Sequence, residues 1–126
     1  MSVSTACPIL VVEDDDGLRS AMDWMLSDEG YPVATAENGA AALECVDETS
    51  PCLILLDMRM PVMDGWEFAR AYQGRPGRHA PIVVVTAAAD ARERAIQIQA
   101  ADFLAKPFDV SDLISIVHRY YGPEPP

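Results

Sequence analysis

Three short runs of aliphatic residues, ILVV, LILL and IVVV, most strongly limit what this chain can fold into. They occupy Ile9–Val12, Leu53–Leu56 and Ile82–Val85, and none of them alternates apolar with polar residues. Continuous apolar runs of this length are typical of parallel strands that helices cover on both faces. Val33–Thr35 and Phe103–Ala105 are weaker strand candidates. Together these segments predict a buried parallel sheet.

The segments between the strands have the spacing of amphipathic helices, with apolar residues recurring every three or four positions. The weakest of them is Asp90–Gln99, whose apolar face contains only Ala95, Ile96 and Ile98. Strand and helix alternate five times, which predicts a doubly wound α/β domain with helices on both faces of the sheet. Residues suited to helix N-caps precede four of the helices: Asp15 or Asp16, the Asn38-Gly39 break, Asp64, and Asp109 or Ser111.

The composition fits one domain and argues against several classes of partner. The chain has 126 residues, within the usual size of a single domain. Its 20 Asp and Glu residues outnumber its 9 Lys and Arg residues, so the formal net charge is −11. An acidic surface repels phosphate backbones, which argues against direct nucleic-acid binding. The longest apolar runs fall far short of the roughly 20 residues that cross a membrane, so we expect no membrane partner.

The cysteines and the terminal segments indicate a cytoplasmic protein. Cys7, Cys45 and Cys52 have no metal-ligand spacing, and their odd number argues against a disulfide framework. We therefore expect buried, reduced thiols. The N-terminal segment lacks the basic and apolar stretches of a signal peptide. The tail Gly122–Pro126 is rich in proline, so we expect it to lie outside a folded core of residues 7–121.

Polar side chains follow four of the five predicted strands. Glu13 and Asp14 follow the first strand, Asp57 the third, Thr86 the fourth and Lys106 the fifth. Because parallel strands point the same way, these groups should gather at the edge where ligands of such sheets bind. Three close carboxylates repel one another unless a cation lies between them, and oxygen ligands favour Mg²⁺. The sequence therefore predicts a divalent-metal site at this edge.

The same groups suit phosphoryl transfer. A carboxylate such as Asp57 can attack phosphorus and form an aspartyl phosphate. A metal ion, Lys106 and Thr86 would then hold the phosphoryl oxygens. Each residue also has a structural interpretation: the acidic run Glu13–Asp16 suits a helix N-terminus, and Asp57 suits the start of a turn before Pro61. Only the shared placement at the strand ends favours the functional interpretation.

Four segments give the sequence a resemblance to a known family. They are ILVVEDDDGLR (9–19), LILLDMRMPVMDG (53–65), PIVVVTA (81–87) and DFLAKPF (102–108). In this order and spacing they resemble the receiver domains of bacterial two-component response regulators, the chemotaxis regulators among them. The resemblance implies a flavodoxin-like fold with strand order 2-1-3-4-5, five flanking helices and a single receiver domain over residues 1–126.

The resemblance also implies which residues hold the metal. Asp57 corresponds to the phosphoacceptor of a Mg²⁺-dependent reaction, with Mn²⁺ as an alternative ion. Glu13 and Asp14 correspond to the acidic pair that holds the ion together with Asp57. The backbone carbonyl of Arg59 corresponds to the remaining protein ligand. Glu13 replaces a more frequent Asp, so we expect its longer side chain to reach the ion through water.

Other matched residues would bind the phosphoryl group and switch the conformation. Lys106 corresponds to the lysine that pairs with Asp57 and then with the phosphoryl group. Thr86 corresponds to the switch hydroxyl, and Phe103 to the aromatic side chain that turns inward when Thr86 moves. The resemblance implies a cis Lys106–Pro107 bond, a conformation that costs little before proline. Gln99 departs from the pattern, since many relatives have Gly there.

The implied function is a signalling switch rather than an enzyme, beyond self-phosphorylation and slow autodephosphorylation. A sensor histidine kinase or histidine phosphotransfer protein would donate the phosphoryl group. The face formed by the fourth helix, fifth strand and fifth helix would bind an output partner, or a second copy upon phosphorylation. One alternative is a degenerate receiver that binds partners without phosphorylation. Another is a phosphatase with a nucleophilic Asp, which needs a second Asp where this chain has Arg59.

Overall fold

The computed structural model describes residues 7–121, so the predicted tail Gly122–Pro126 lies outside the described residues. Five strands and five helices alternate along this part of the chain. In chain order they are β1 (Ile9–Val12), α1 (Asp16–Asp28), β2 (Val33–Ala36), α2 (Gly39–Thr49), β3 (Leu53–Leu56), α3 (Gly65–Gln73), β4 (Ile82–Ala87), α4 (Ala91–Gln97), β5 (Asp102–Lys106) and α5 (Val110–Tyr120).

The strands form one parallel sheet in the order β2-β1-β3-β4-β5, which confirms the predicted fold class. Alternate residues of the central strands face opposite sides of the sheet. Leu10 and Val12 belong to the core that packs against α2, α3 and α4, whereas Ile9 and Val11 belong to the core beneath α1 and α5. Because both faces are covered, the strands need apolar residues at every position.

The structure moves the predicted boundaries of β4, β5 and α4. Thr86 and Lys106 were expected to follow the fourth and fifth strands, but β4 continues to Ala87 and β5 to Lys106, because these two residues pair in register. Helix α4 ends at Gln97, two residues earlier than expected, and Gln99 has a left-handed φ of 55°. Ile96 is 69% exposed rather than part of the apolar face of this helix.

Carboxylate caps fix the starts of the helices next to the candidate site. Asp64 accepts a hydrogen bond from the backbone N–H of Glu67, and the Glu67 side chain accepts one from the N–H of Asp64. Asp109 and Asp112 form the same reciprocal box at the start of α5. Such caps satisfy backbone N–H groups that otherwise have no partner within the helix. Asp109 rather than Ser111 is therefore the cap of α5.

The expectation that all three cysteines are free thiols is wrong, because Cys7 and Cys52 form a disulfide with Cα atoms 5.4 Å apart. Parallel pairing of Ile9 with Leu53 places the residues that precede β1 and β3 side by side. The Tyr121 hydroxyl donates to the backbone carbonyl of Cys7, at 2.9 Å, and so joins the end of α5 to the same edge. Cys45 remains a free thiol. The prediction failed because strand register, not sequence spacing, brings the two cysteines together.

None of the helices within residues 7–121 is both long enough and apolar enough to cross a membrane.

The loop between β3 and α3 contains an unfavourable backbone conformation. Val62 has a φ of 69°, in the left-handed region that β-branched residues rarely adopt. Its side chain is 80% exposed, so packing offers little compensation. The left-handed conformation costs an L-residue about 1–2 kcal/mol.

We predict that Val62→Gly and Val62→Asn each raise the free energy of unfolding by about 0.5–1.5 kcal/mol, because both residues tolerate positive φ. Urea denaturation would show a higher midpoint with an unchanged slope. Exposed Val110 is the matched control, since it lies at the first position of α5, where Val110→Gly should not stabilise the protein. A lower midpoint for both Val62 variants would contradict the prediction.

Candidate functional site

Three carboxylates meet at the carboxyl edge of the sheet. Glu13 and Asp14 follow β1, and Asp57 follows β3; one ligand oxygen from each lies within 4.8 Å of the others. Glu13 and Asp57 are buried, whereas Asp14 is exposed. The backbone N–H of Asp57 donates to the Val12 carbonyl at 2.9 Å, so β1 and β3 hold the carboxylates in register. The structure thus brings together the three predicted acidic ligands.

Lys106 supplies the positive charge of this cluster, but its nearest partner differs from the expected one. Its Nζ donates to Glu13 Oε1 at 2.7 Å and lies 3.7 Å from Asp57 Oδ1. The other Glu13 oxygen accepts a hydrogen bond from the backbone N–H of Asp15. Glu13 is one methylene longer than the Asp frequent at this position, and in this structure it takes the shorter contact with Lys106.

The pKa of Asp57 is raised from its ordinary value of 3.8 to about 7, and burial of the carboxyl group is the largest cause. The negative charge of Glu13 contributes to this increase, and hydrogen bonds with Asp14 and Glu13 act in the same direction. The positive charge of Lys106 opposes these effects without cancelling them. Near neutral pH the metal-free carboxyl group is therefore divided between its protonated and ionised forms.

Gly65 allows the turn after Asp57 to close tightly. A Cβ atom at Gly65 would lie 2.7 Å from the Asp57 carbonyl oxygen and 2.7 Å from Met58 Cα, so a larger residue would force the backbone to move. The Gly65 N–H also donates to the Met58 carbonyl at 2.9 Å. This close contact was not predicted from the sequence, although the position of Gly65 directly after the Asp64 cap could have indicated it.

The Arg59 side chain lies beside Trp66. Its Cζ is 6.0 Å from the centroid of the Trp66 ring, and Arg94 Cζ is 5.1 Å from the same centroid. The Trp66 indole N–H donates to Gln97 Oε1 at 2.9 Å. Trp66 therefore connects the loop after Asp57 with α4, by contacts between cations and an aromatic face. Sequence reasoning did not find this connection, because its members are distant in the chain.

The remaining predicted site residues lie on β4 and β5. Thr86 is buried near the end of β4, paired in register with Ala105. Phe103 is 37% exposed, so its ring is only partly withdrawn from solvent. The Lys106–Pro107 peptide bond is cis. Thr86 and Lys106 thus reach the same edge of the sheet as the carboxylates, since adjacent strands end there.

Comparison with known proteins identifies the class that this fold and site define. Residues 9–118 match the sequence model of the response regulator receiver domain. The chain belongs to this family, whose members are signalling domains rather than conventional enzymes. It is 38% identical over 109 residues to the response regulator MprA of Mycobacterium tuberculosis, an alignment that covers 85% of this chain and 47% of MprA. The chain thus spans about half the length of that relative.

Two solved receiver structures share the fold. The receiver domain of the sensor histidine kinase PA1611 from Pseudomonas aeruginosa is 35% identical, with a TM-score of 0.83 and coverage of 93% of this chain and 98% of that one. That structure has a magnesium ion coordinated in its active site cleft. Chemotaxis response regulator CheY4 of Vibrio cholerae is 29% identical, with a TM-score of 0.82; the match covers 92% of this chain and 99% of CheY4.

We predict that Asp57→Asn stabilises the metal-free protein at about pH 8 by about 1–3 kcal/mol. Because the folded-state pKa of Asp57 lies above its unfolded value, the folded state binds more protons between about pH 4 and 7. The stability of wild type therefore falls as pH rises through this range, while an amide does not titrate. Urea denaturation of both proteins at several pH values measures the difference.

The matched control is Asp28→Asn, which removes an exposed carboxylate at the end of α1. Its stability difference from wild type should change little with pH. An Asp57→Asn difference that is equally independent of pH would contradict the assigned pKa.

Proposed function

We propose that the protein is a phosphorylation switch in which Asp57 accepts a phosphoryl group from a sensor histidine kinase or a histidine phosphotransfer protein. The observation that carries this proposal is the meeting of Glu13, Asp14, Asp57 and Lys106 at one edge of the sheet. Receiver domains of this family interact with histidine kinases and output domains. The protein would accordingly be a phosphoprotein of a two-component system, working in the cytoplasm.

The donor set suits Mg²⁺, with Mn²⁺ as an alternative. Carboxylate oxygens of Glu13, Asp14 and Asp57 lie within 4.8 Å of one another, and hard oxygen donors are the ligands these ions prefer. The backbone carbonyl of Arg59 would complete the protein ligands. Glu13 would contribute through water, since both of its oxygens already accept hydrogen bonds from the protein. A bound divalent ion would supply positive charge for the phosphoryl oxygens.

The chemical step requires the ionised form of Asp57. An oxygen of its carboxylate attacks phosphorus, the new P–O bond forms, and the P–N bond to the donor histidine breaks, so the imidazole leaves with the bonding electrons. Lys106 Nζ lies 3.7 Å from Asp57 Oδ1, and a small movement away from Glu13 would bring it to a phosphoryl oxygen. The Thr86 hydroxyl would donate to another.

The switch would proceed through β4 and β5. When Thr86 moves towards the phosphoryl group, the space it leaves would admit the partly exposed ring of Phe103. The elements α4, β5 and α5 each carry an exposed large apolar residue, namely Ile96, Phe103 and Val110. This α4-β5-α5 face would bind an output partner or a second phosphorylated copy. Phosphorylation would shift such a switch only as far as the phosphoryl group stabilises one conformation over the other.

A degenerate receiver that binds partners without phosphorylation is the less favoured alternative. In such a protein we would expect at least one of the reacting groups to be missing or displaced. Here Asp57, Thr86 and Lys106 all reach the same edge, together with two further carboxylates. The phosphatase alternative lacks its general acid, because the residue two positions after Asp57 is Arg59.

We predict that acetyl phosphate with Mg²⁺ adds one phosphoryl group per chain, because a small donor can replace the phosphohistidine. Intact-mass spectrometry under acidic conditions would detect the adduct. Asp57→Asn should gain nothing, Asp28→Asn should behave as wild type, and removal of divalent ions with EDTA should suppress the reaction at least about tenfold.

The same proteins should then be tested with a phosphorylated histidine phosphotransfer protein as donor. An unmodified wild type with both donors would overturn the proposed function. Equal modification of wild type and Asp57→Asn would instead show that another residue is the acceptor.

A further inference from the structure

A second chemically reactive site lies at the amino edge of the sheet, opposite the carboxylates. Cys7 and Cys52 precede β1 and β3, and their Cα atoms are 5.4 Å apart, within the range of disulfides. The backbone N–H of Cys52 donates to the Pro8 carbonyl at 2.9 Å, so strand pairing holds the two residues together independently of the covalent bond. Both residues are half-buried, so their sulfur atoms are not sealed inside the core.

A cavity of about 450 Å³ opens beside this pair. Cys7 and Cys52 both line it, together with Arg78 and His79 from the loop between α3 and β4. None of its lining residues is acidic, although the chain has 20 Asp and Glu residues. The cavity is therefore a local exception to the negative surface, and it suits an anionic ligand next to two sulfur atoms.

Specific contacts hold the basic loop at the mouth of the cavity. The Tyr72 hydroxyl accepts a hydrogen bond from the Ala80 N–H at 2.6 Å. The His79 ring packs edge-on against Tyr72, with centroids 5.1 Å apart, and its Nε2 lies 2.7 Å from the Arg75 carbonyl oxygen. Arg78 and His79 thus belong to a loop that Tyr72 holds against α3.

We propose that Cys7 and Cys52 form a reversible redox site that exchanges with small anionic thiols of the glutathione class bound in this cavity. Carboxylates of such a thiol would pair with Arg78 and place its sulfur near the cysteines. A cation beside a thiol also favours the reactive thiolate form. The proposal does not depend on phosphorylation of Asp57, which lies at the other edge of the sheet.

The exchange proceeds in two balanced steps. The thiolate of one cysteine attacks oxidised glutathione, its S–S bond breaks, and one glutathione leaves as a thiolate that takes up a proton. The second cysteine then loses its proton, attacks the mixed disulfide and releases the other glutathione. The two protein sulfurs lose two electrons in total, and one molecule of oxidised glutathione gains them. Reduction is the reverse sequence.

Oxidation would tie the start of β1 to the start of β3 across a sequence separation of 45 residues. A cross-link of that span restricts the unfolded chain and so favours the folded state. The reactive carboxylates lie beyond the opposite ends of the same strands, so phosphorylation should proceed in both redox states. The Cys7–Cys52 pair would therefore change the stability of the folded protein and leave the phosphorylation reaction unchanged.

The first test is a redox titration in a Cys45→Ser background, which leaves only the proposed pair. The protein is equilibrated with mixtures of reduced and oxidised glutathione, and the exchange is stopped with acid. Free thiols are then alkylated, and the mass of the intact protein is measured by mass spectrometry. We expect the number of alkylated cysteines to change from zero to two as the proportion of reduced glutathione rises, and the oxidised form to melt about 10 °C higher. A pair that stays oxidised in reduced glutathione, or reduced in oxidised glutathione, would overturn the proposal.

The second test addresses the cavity. Arg78→Gln should slow oxidation by glutathione disulfide about 2–5-fold, because it removes a charge that attracts the anion. It should leave oxidation by the neutral hydroxyethyl disulfide unchanged. Arg92→Gln removes the same charge from α4, outside the cavity, and should affect neither rate. An equal effect of Arg78→Gln on both disulfides, or no difference from Arg92→Gln, would overturn the role of the cavity.

Discussion

The main constraint on this structure is the mutual repulsion of three carboxylates, which the fold must hold together at one edge of the sheet. The buried carboxylates of Glu13 and Asp57 repel strongly, because neither water nor salt screens them well. Lys106 offsets part of this repulsion, and a proton on Asp57 offsets more, as its raised pKa shows. Groups that repel one another stay together only on a rigid support. The site therefore requires the rigid, apolar sheet that holds these carboxylates in place.

The sheet provides this support because β1 and β3, which precede the carboxylates, are apolar at every position. Ile9–Val12 and Leu53–Leu56 are entirely buried, and their hydrogen-bonded register sets the separation of the acidic residues that follow them. The tight contact of Gly65 with the backbone of Asp57 and Met58 constrains the other side of the site. The three carboxylates therefore lie at the ends of β1 and β3, beside a closed turn, and these parts of the backbone have little freedom to move.

Features that depend on local pattern could be predicted from the sequence. The bounds of β1 and β3 agree with the continuous apolar runs, which are typical of strands buried on both faces. The gathering of Glu13, Asp14 and Asp57 also followed from parallel topology alone. The assignment of roles to these residues came from the family resemblance.

Features that depend on distances between elements were missed. The Cys7–Cys52 bond follows from the register of β1 against β3, which sequence spacing does not contain. The short contact of Lys106 with Glu13 depends on the length of the Glu13 side chain, which has one methylene group more than the Asp that is frequent at this position. Ile96 has the spacing of a core residue, yet in α4 the buried residues are Ala91 and Ala95, and Ile96 is exposed.

The hydrogen bond between the Tyr121 hydroxyl and the Cys7 carbonyl has an architectural consequence. It places the first and last described residues side by side, on the side of the domain remote from Asp57. A polypeptide fused directly to either of these residues would begin on that remote side. Such a fusion partner could sense the aspartyl group only through motions transmitted across the full depth of the domain, or through surfaces that wrap around it.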